Sequence, residues 1–324
     1  MDKSFWRSIQ RSNFTKISLL SDFLELDASK RAQLLQKSHF PLNVPYRLAR
    51  KIKKNSLDDP IFKQFIPLKD EAIINPQFVL DPVEDTTFCK SQKLLQKYKK
   101  RALLLTTSAC AMHCRYCFRQ NFSYETVTKG FEKELQLIQE DKTLQEVILS
   151  GGDPLSLSNK DLKALLISLD KIPHLKRIRF HTRFVIGIPE RVDEELLSIL
   201  HNTKKQIYFV IHCNHPTELD SDIIYYLDKV KKLSIPILCQ TVLLKGVNDD
   251  KDTMLNLCEQ LIDNGIIPYY LHQLDKVQGA SHFEVEKSKG LEIISELRKE
   301  LSGYGVFSYV EEIANKESKL PILQ

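Results

Sequence analysis

The 324-residue sequence contains no stretch that approaches the apolar length of a membrane span. Residues 1–14 carry no apolar core of a secretory signal. There is no internal repeat, no low-complexity stretch and no long linker. The formal charge of +5 is mild, which argues against a polyelectrolyte partner. Short basic runs do occur, at 50–54 and 97–101, but such runs usually form solvated faces, and nucleic acid is not expected as a partner. Seven cysteines without a signal point to a reducing, cytoplasmic setting rather than to a disulfide scaffold. What remains is a chain of ordinary globular composition, 42% hydrophobic and 27% charged, long enough to bury a large core.

Three of the seven cysteines fall within eight residues, Cys110, Cys114 and Cys117, directly after a strand-like run ending in Thr106-Thr107. An odd number of thiols does not suit disulfide pairing. A structural zinc site would want a second pair at ribbon spacing, and none follows. His113 lies between two of the cysteines, where its ring cannot easily share their metal. Three thiolates on one loop suit three corners of a [4Fe–4S] cluster and leave the fourth iron open. The spacing C-x3-C-x2-C followed by Phe118 resembles the signature of radical S-adenosylmethionine (SAM) enzymes. In that superfamily the open iron chelates SAM. Cys89, Cys213, Cys239 and Cys258 are scattered and read as ordinary packed thiols.

The chain divides into a mainly helical N-terminal region, residues 1–100, broken by several prolines. A regular alternation follows over 101–301, and a tail over 302–324. Strand-like runs are expected at 102–107, 146–150, 177–181, 207–212, 237–243 and 267–274. Amphipathic helices are expected between and after them at 129–140, 159–170, 191–200, 219–232, 251–264 and 284–301. The strands read as nearly continuous apolar runs, which suits parallel strands buried on both faces. Six β-α units imply a parallel α/β barrel or a doubly wound sheet. With the cysteine signature, the fold expected is a partial parallel (βα)6 barrel with a helical N-terminal extension.

Polar residues recur at or just past the C-terminal ends of these strands, the rim where parallel α/β folds build chemistry. They include Gly151-Gly152-Asp153-Pro154, His181-Thr182-Arg183, His212, Asn214, His215, Gln240, Gln273 and Asp275. Gly-Gly-Asp-Pro alone would read as a tight turn. One strand after the cysteine loop, it resembles the radical SAM motif that meets the SAM amino group.

Taken in order, Leu149–Leu155, Arg179–Arg183, His212–Pro216, Gln240–Asn248, Tyr270–Asp275, Ser302–Gly305 and Ser318–Pro321 resemble the lysine 2,3-aminomutase family. The resemblance runs from about Tyr46 to Pro321. The His39–Pro45 segment resembles the branch acting in β-lysylation of elongation factor P.

The resemblance implies conversion of L-lysine to β-lysine with three cofactors: the [4Fe–4S] cluster, SAM and pyridoxal 5′-phosphate (PLP). It implies a flavodoxin-like or ferredoxin-like electron donor. PLP is carried by a lysine near the C-terminus, here Lys319. Arg119 matches the residue for the substrate carboxylate, and Asp275 and Glu312 match the acidic pair for its ε-ammonium, with Glu311 an alternative one position away. Tyr98 and Lys97 match a pair near PLP. Gly151, Gly152, Asp153, Pro154, His212 and Gln240 match the SAM site. Longer family members bind zinc partly through a cysteine where this chain has Asp250, and no zinc is expected. Three departures stand out: Glu312 where Asp is common, Lys97 where Arg is usual, and no glycine in the segment before Lys319. The alternative class is a radical SAM enzyme that modifies RNA or protein without PLP.

Overall fold

The computed structural model describes residues 5–123 and 130–323. Strand β3 (Arg101–Thr107) opens a parallel run that continues through β4 (Glu146–Gly151), β5 (Arg177–Thr182), β6 (Gln206–His212), β7 (Ile237–Val242) and β8 (Ile267–His272). The six expected strands are therefore present, displaced by at most two residues at an end. The sheet does not stop there. β9 (Ser308–Glu311), from the expected tail, adds in parallel to β8. Short antiparallel strands complete the edges: β1 (Cys89–Ser91) and β2 (Leu94–Leu95) beside β3, and β10 (Leu320–Pro321) beside β9. The strands stand in sequence order across the sheet, as in a curved partial barrel. β9 was hard to see because its four residues, Ser-Tyr-Val-Glu, are short and flanked by turn residues.

The segments between the strands fold as helices for local reasons. α6 (Glu132–Glu140), α7 (Asn159–Asp170), α9 (Glu194–His201), α10 (Ser221–Lys231), α11 (Lys251–Asp263) and α12 (Lys287–Glu300) cover the outside. Residue 129, where the first of them was expected to begin, lies outside the described residues. Side-chain oxygens of Ser158, Asp193, Asp220 and Asp250 each accept a hydrogen bond from a first-turn N–H of α7, α9, α10 and α11. Asp250 is thus a helix cap at the position where longer relatives were expected to use a zinc ligand. One short helix, α8 (Phe184–Gly187), follows β5 and is wholly buried.

The N-terminal region contributes α1 (Phe5–Arg11), α2 (Ile17–Phe23), α3 (Ala28–Arg31), α4 (Tyr46–Lys51) and α5 (Pro60–Phe65). It packs into the main core rather than forming its own. Trp6 is buried edge-on against Phe184, with ring centroids 5.3 Å apart. Phe62 and Phe65 are fully buried. Asp59 caps α5 through the N–H groups of Ile61 and Phe62, with Pro60 at its first position.

The expectation of apolar burial on both faces holds along β4 and much of β6 but fails along β5. Along β5, Ile178, Phe180 and Thr182 are buried under the helices, while Arg177, Arg179 and His181 alternate with them toward the barrel interior. The interior is polar because it surrounds a cavity.

Candidate active site

The cavity encloses about 310 Å3 and is lined from β3 round to β9. Cys110, Cys114, Cys117, Arg119, Gly151, Gly152, Asp153, His212, Gln240, Asp275, Glu312, Lys319, Lys97 and Tyr98 all face it. One expected site residue does not. Pro154 is buried and opens the 3-10 turn Pro154–Ser156 behind the cavity wall.

The cysteine loop leaves the end of β3 and is fastened from the N-terminal region. Gln10 Nε2 and Asn43 Nδ2 donate to the carbonyl of Cys110, at 3.5 and 3.2 Å, and Asn13 Nδ2 donates to that of Ala111 at 2.7 Å. His113 stacks on Phe40 and its Nδ1 lies 2.7 Å from the Pro41 carbonyl, so its ring serves the loop's conformation. Arg115 is buried, holds both oxygens of Glu71, and donates to Ser38 and to the Phe40 carbonyl. Behind the loop, the two glycines let strand β4 close on it. Gly151 has φ +115, and a Cβ on Gly152 would fall 2.3 Å from the Ala109 carbonyl oxygen.

The three thiols are free and border one space. No group of three or more His, Cys, Asp or Glu among the described residues converges on a single ion. A cube does not require that, because each of its irons takes one thiolate. Burial pushes the Cys110 thiol up, and burial with the neighbouring Cys114 pushes Cys117 up to about 11. Metal binding would deprotonate both. The buried Nε of Arg183, shielded and without a hydrogen-bond partner among the described residues, marks an unfilled polar position beside the cysteines. The residues present fit a cluster held by Cys110, Cys114 and Cys117.

Asp153 does not face a ligand with its carboxylate. It accepts from the Leu155, Arg183 and Phe184 N–H groups and from the Thr182 hydroxyl, at 2.7 to 3.0 Å. Burial raises it to about 6 despite those donors. Asp153 thus staples the Gly-Gly turn to the end of β5.

Three residues converge on Glu312. Lys319 Nζ and Lys97 Nζ each lie 2.6 Å from its carboxylate, and Tyr98 Oη donates to it at 2.5 Å. Burial alone would raise Glu312, but the Lys319 charge and these three donors hold it down to about 2. Glu311 faces the other way and pairs with Lys287 on α12 at 2.5 Å. Of the two adjacent glutamates, Glu312 borders the cavity and Glu311 does not. Asp275 has no hydrogen bond or ion pair to its carboxylate among the described residues, and it is half-buried at the border of the cavity. Burial raises it to about 7, against the pull of Lys319. Arg119 Nε donates to Asp85 at 2.6 Å and its guanidinium lies 4.6 Å over the Phe118 ring.

Several cavity residues were not singled out from the sequence. Arg101 stacks over Tyr98 at 4.4 Å and has no acidic partner among the described residues, which suits a phosphate. With Lys319 and Tyr98 it fits PLP. His181, named only as a rim residue, has a shielded Nε2 without a hydrogen-bond partner among the described residues. His272 lines the same wall. Arg183 and Asn214, named only as rim residues, join Gln64, Tyr116 and Glu218 in a buried network that backs the cysteine loop. Gln64 and Glu218 lie 154 residues apart in sequence, on a helix and a 3-10 turn, and no local pattern connects them.

A thiol triplet at the end of the first barrel strand, above a polar barrel interior, defines a radical SAM enzyme. The family model described as Radical SAM superfamily matches residues 104–258. An L-lysine 2,3-aminomutase of Escherichia coli (strain K12) is 39% identical over 304 residues, covering 92% of this chain and 89% of the relative. That of Haemophilus influenzae is 37% identical over 318 residues, covering 97% and 94%. That of Clostridium subterminale is 30% identical over 328 residues, covering 99% and 78%. The chain belongs to the lysine 2,3-aminomutase family.

Proposed function

We propose that the protein is an isomerase that converts L-lysine to β-lysine, moving the amino group from C2 to C3. The observation that carries this reading is a single cavity shared by three cysteine thiols, the Lys319 amine, a guanidinium and an unpaired carboxylate. Breaking an unactivated C–H bond is beyond side-chain acid–base chemistry, so bound groups must supply it. When bound, the cluster with SAM supplies a hydrogen-abstracting radical, and PLP supplies a carbonyl that takes up the amino group.

The chain's own residues bind, orient and exclude water. Arg119 takes the substrate carboxylate, with Asp85 fixing its Nε edge. Asp275 takes the ε-ammonium. Glu312, already satisfied by two lysines and a tyrosine, stays charged and holds the Lys319 amine in place. The two ends together fix the length of the substrate. Tyr98 and Arg101 hold PLP, while His212 and Gln240 border the SAM side. His212 is pushed down to about 3 by burial and the Arg183 charge, so it meets SAM as a neutral ring. The finer assignments rest on the sequence resemblance: supply of β-lysine for modification of elongation factor P, and reduction by a flavodoxin-like or ferredoxin-like protein.

The test is chemical trapping. Borohydride reduction of the PLP-loaded protein, followed by digestion, should place the pyridoxyl label on Lys319. A label on another lysine would refute the assignment to Lys319, and no label at all would favour a radical SAM enzyme that works without PLP.

A further inference from the structure

Arg183 follows β5 and is almost fully buried. Its Nη1 donates to Cys114 Sγ at 2.9 Å and also to the Tyr116 hydroxyl. Its Nη2 is held at 2.7 Å by both Glu218 Oε2 and Gln64 Oε1. The face of the guanidinium rests on the Phe65 ring at 4.6 Å. Each partner is itself fixed. Glu218 is fully buried and accepts from Gln64 Nε2 at 2.9 Å and from the Asn214 N–H at 3.1 Å. Asn214 Nδ2 donates to Tyr116 Oη at 2.7 Å and to Gln64 Oε1 at 3.0 Å. Such bracing leaves the guanidinium one orientation, with an edge toward a cysteine sulfur.

Packing does not require this arrangement. A buried cation is expensive unless paired, and Glu218 alone would satisfy that need. The N–H donated to sulfur is additional. In the cluster-bound protein that sulfur is an iron-bound thiolate, a stronger acceptor than the thiol it replaces. Hydrogen bonds to cluster sulfurs and nearby charge are among the levers that set a cluster's potential. A donated hydrogen bond and a positive charge both favour the reduced, more negative state.

We propose that Arg183 is a positioning residue that raises the reduction potential of the cluster through its hydrogen bond to Cys114. The inference rests on the reading of Cys110, Cys114 and Cys117 as cluster ligands. Glu218, Gln64 and Asn214 act through Arg183 by holding its orientation. The arrangement makes the cluster easier to reduce by a protein donor while leaving the substrate end of the cavity untouched.

The experiment is an EPR-monitored redox titration of the anaerobically reconstituted holoenzyme, with iron and sulfide content measured on each sample. Arg183→Met should lower the midpoint, by an amount equal to roughly a tenfold smaller reduced-to-oxidised ratio at fixed poise, about 59 mV for one electron. Because that change strands Glu218, the double variant Arg183→Met/Glu218→Gln is measured beside it. The double variant removes one charge of each sign and should still show a lowered midpoint. An unchanged midpoint in a double variant with full cluster content would overturn the proposal. So would a loss of SAM binding with the potential unchanged, since Arg183 would then serve the cosubstrate. A parent protein that takes up no iron would instead refute the cluster reading itself, and the two failures are distinct.

Discussion

Asp275→Asn keeps the shape of the side chain and removes its charge. Among the described residues this carboxylate makes no ion pair and no hydrogen bond, so the substitution strands no direct partner. The cost should fall on substrate alone. Two unit charges about 4 Å apart at an effective dielectric near 20 attract by about 4 kcal/mol. Part of that offsets desolvation of the ammonium, leaving about 3 kcal/mol of transition-state binding. Its loss lowers kcat/KM for lysine roughly a hundredfold. The pH dependence gives a second readout. Burial raises Asp275 to about 7 in the ligand-free protein, so below that pH the acid is neutral and cannot pair with an ammonium. Parent kcat/KM for lysine should therefore fall as pH drops through about 7, and Asp275→Asn should lose that limb. Iron content and PLP loading should be unaffected, and any turnover of the uncharged isostere norleucine should change little. Steady-state kinetics across pH, with both cofactor loadings measured, is the assay. Turnover of lysine within a few-fold of the parent would refute the reasoning.

Glu312→Gln should behave differently, because it leaves Lys97 and Lys319 without their shared anion in a buried site, a loss of roughly 3–5 kcal/mol for broken buried pairs. It should lower both thermal stability and PLP retention, read by calorimetry and by cofactor absorbance. Gly152→Ala drives a methyl group against the Ala109 carbonyl, so the cysteine loop must shift. Iron uptake should drop while far-UV circular dichroism is preserved. Single replacement of Cys110, Cys114 or Cys117 by Ala should each abolish oxygen-labile iron and sulfide in anaerobically purified protein, and full content in any one would remove that residue from the ligand set.

The parallel core was legible because most of its six strands are apolar runs followed by a Ser- or Asp-capped helix or a turn. The cysteine triplet and Gly-Gly-Asp were legible because ligand spacing and close backbone approach are local. β9 and the edge strands were not, since two- to four-residue strands carry too few side chains to show a period. The polar face of β5 was also missed. Arg177, Arg179 and His181 were present in the sequence, but only a cavity makes an inward arginine tolerable. The sequence alone did not show that Glu312 is held by Lys97, Tyr98 and Lys319, or that Asp153 is consumed by backbone donors. Tyr98 lies 214 positions from Glu312 and Arg183 lies 30 from Asp153, and even the seven-residue step from Glu312 to Lys319 spans a turn with no local period.

The central claim is that this cavity moves an amino group on lysine. Anaerobic incubation of the reconstituted protein with reductant, SAM, PLP and L-lysine, resolved by mass spectrometry and chiral chromatography, tests it most directly. The account predicts β-lysine, formed only when all three cofactors are present. Reductive cleavage of SAM with lysine recovered unchanged would contradict it.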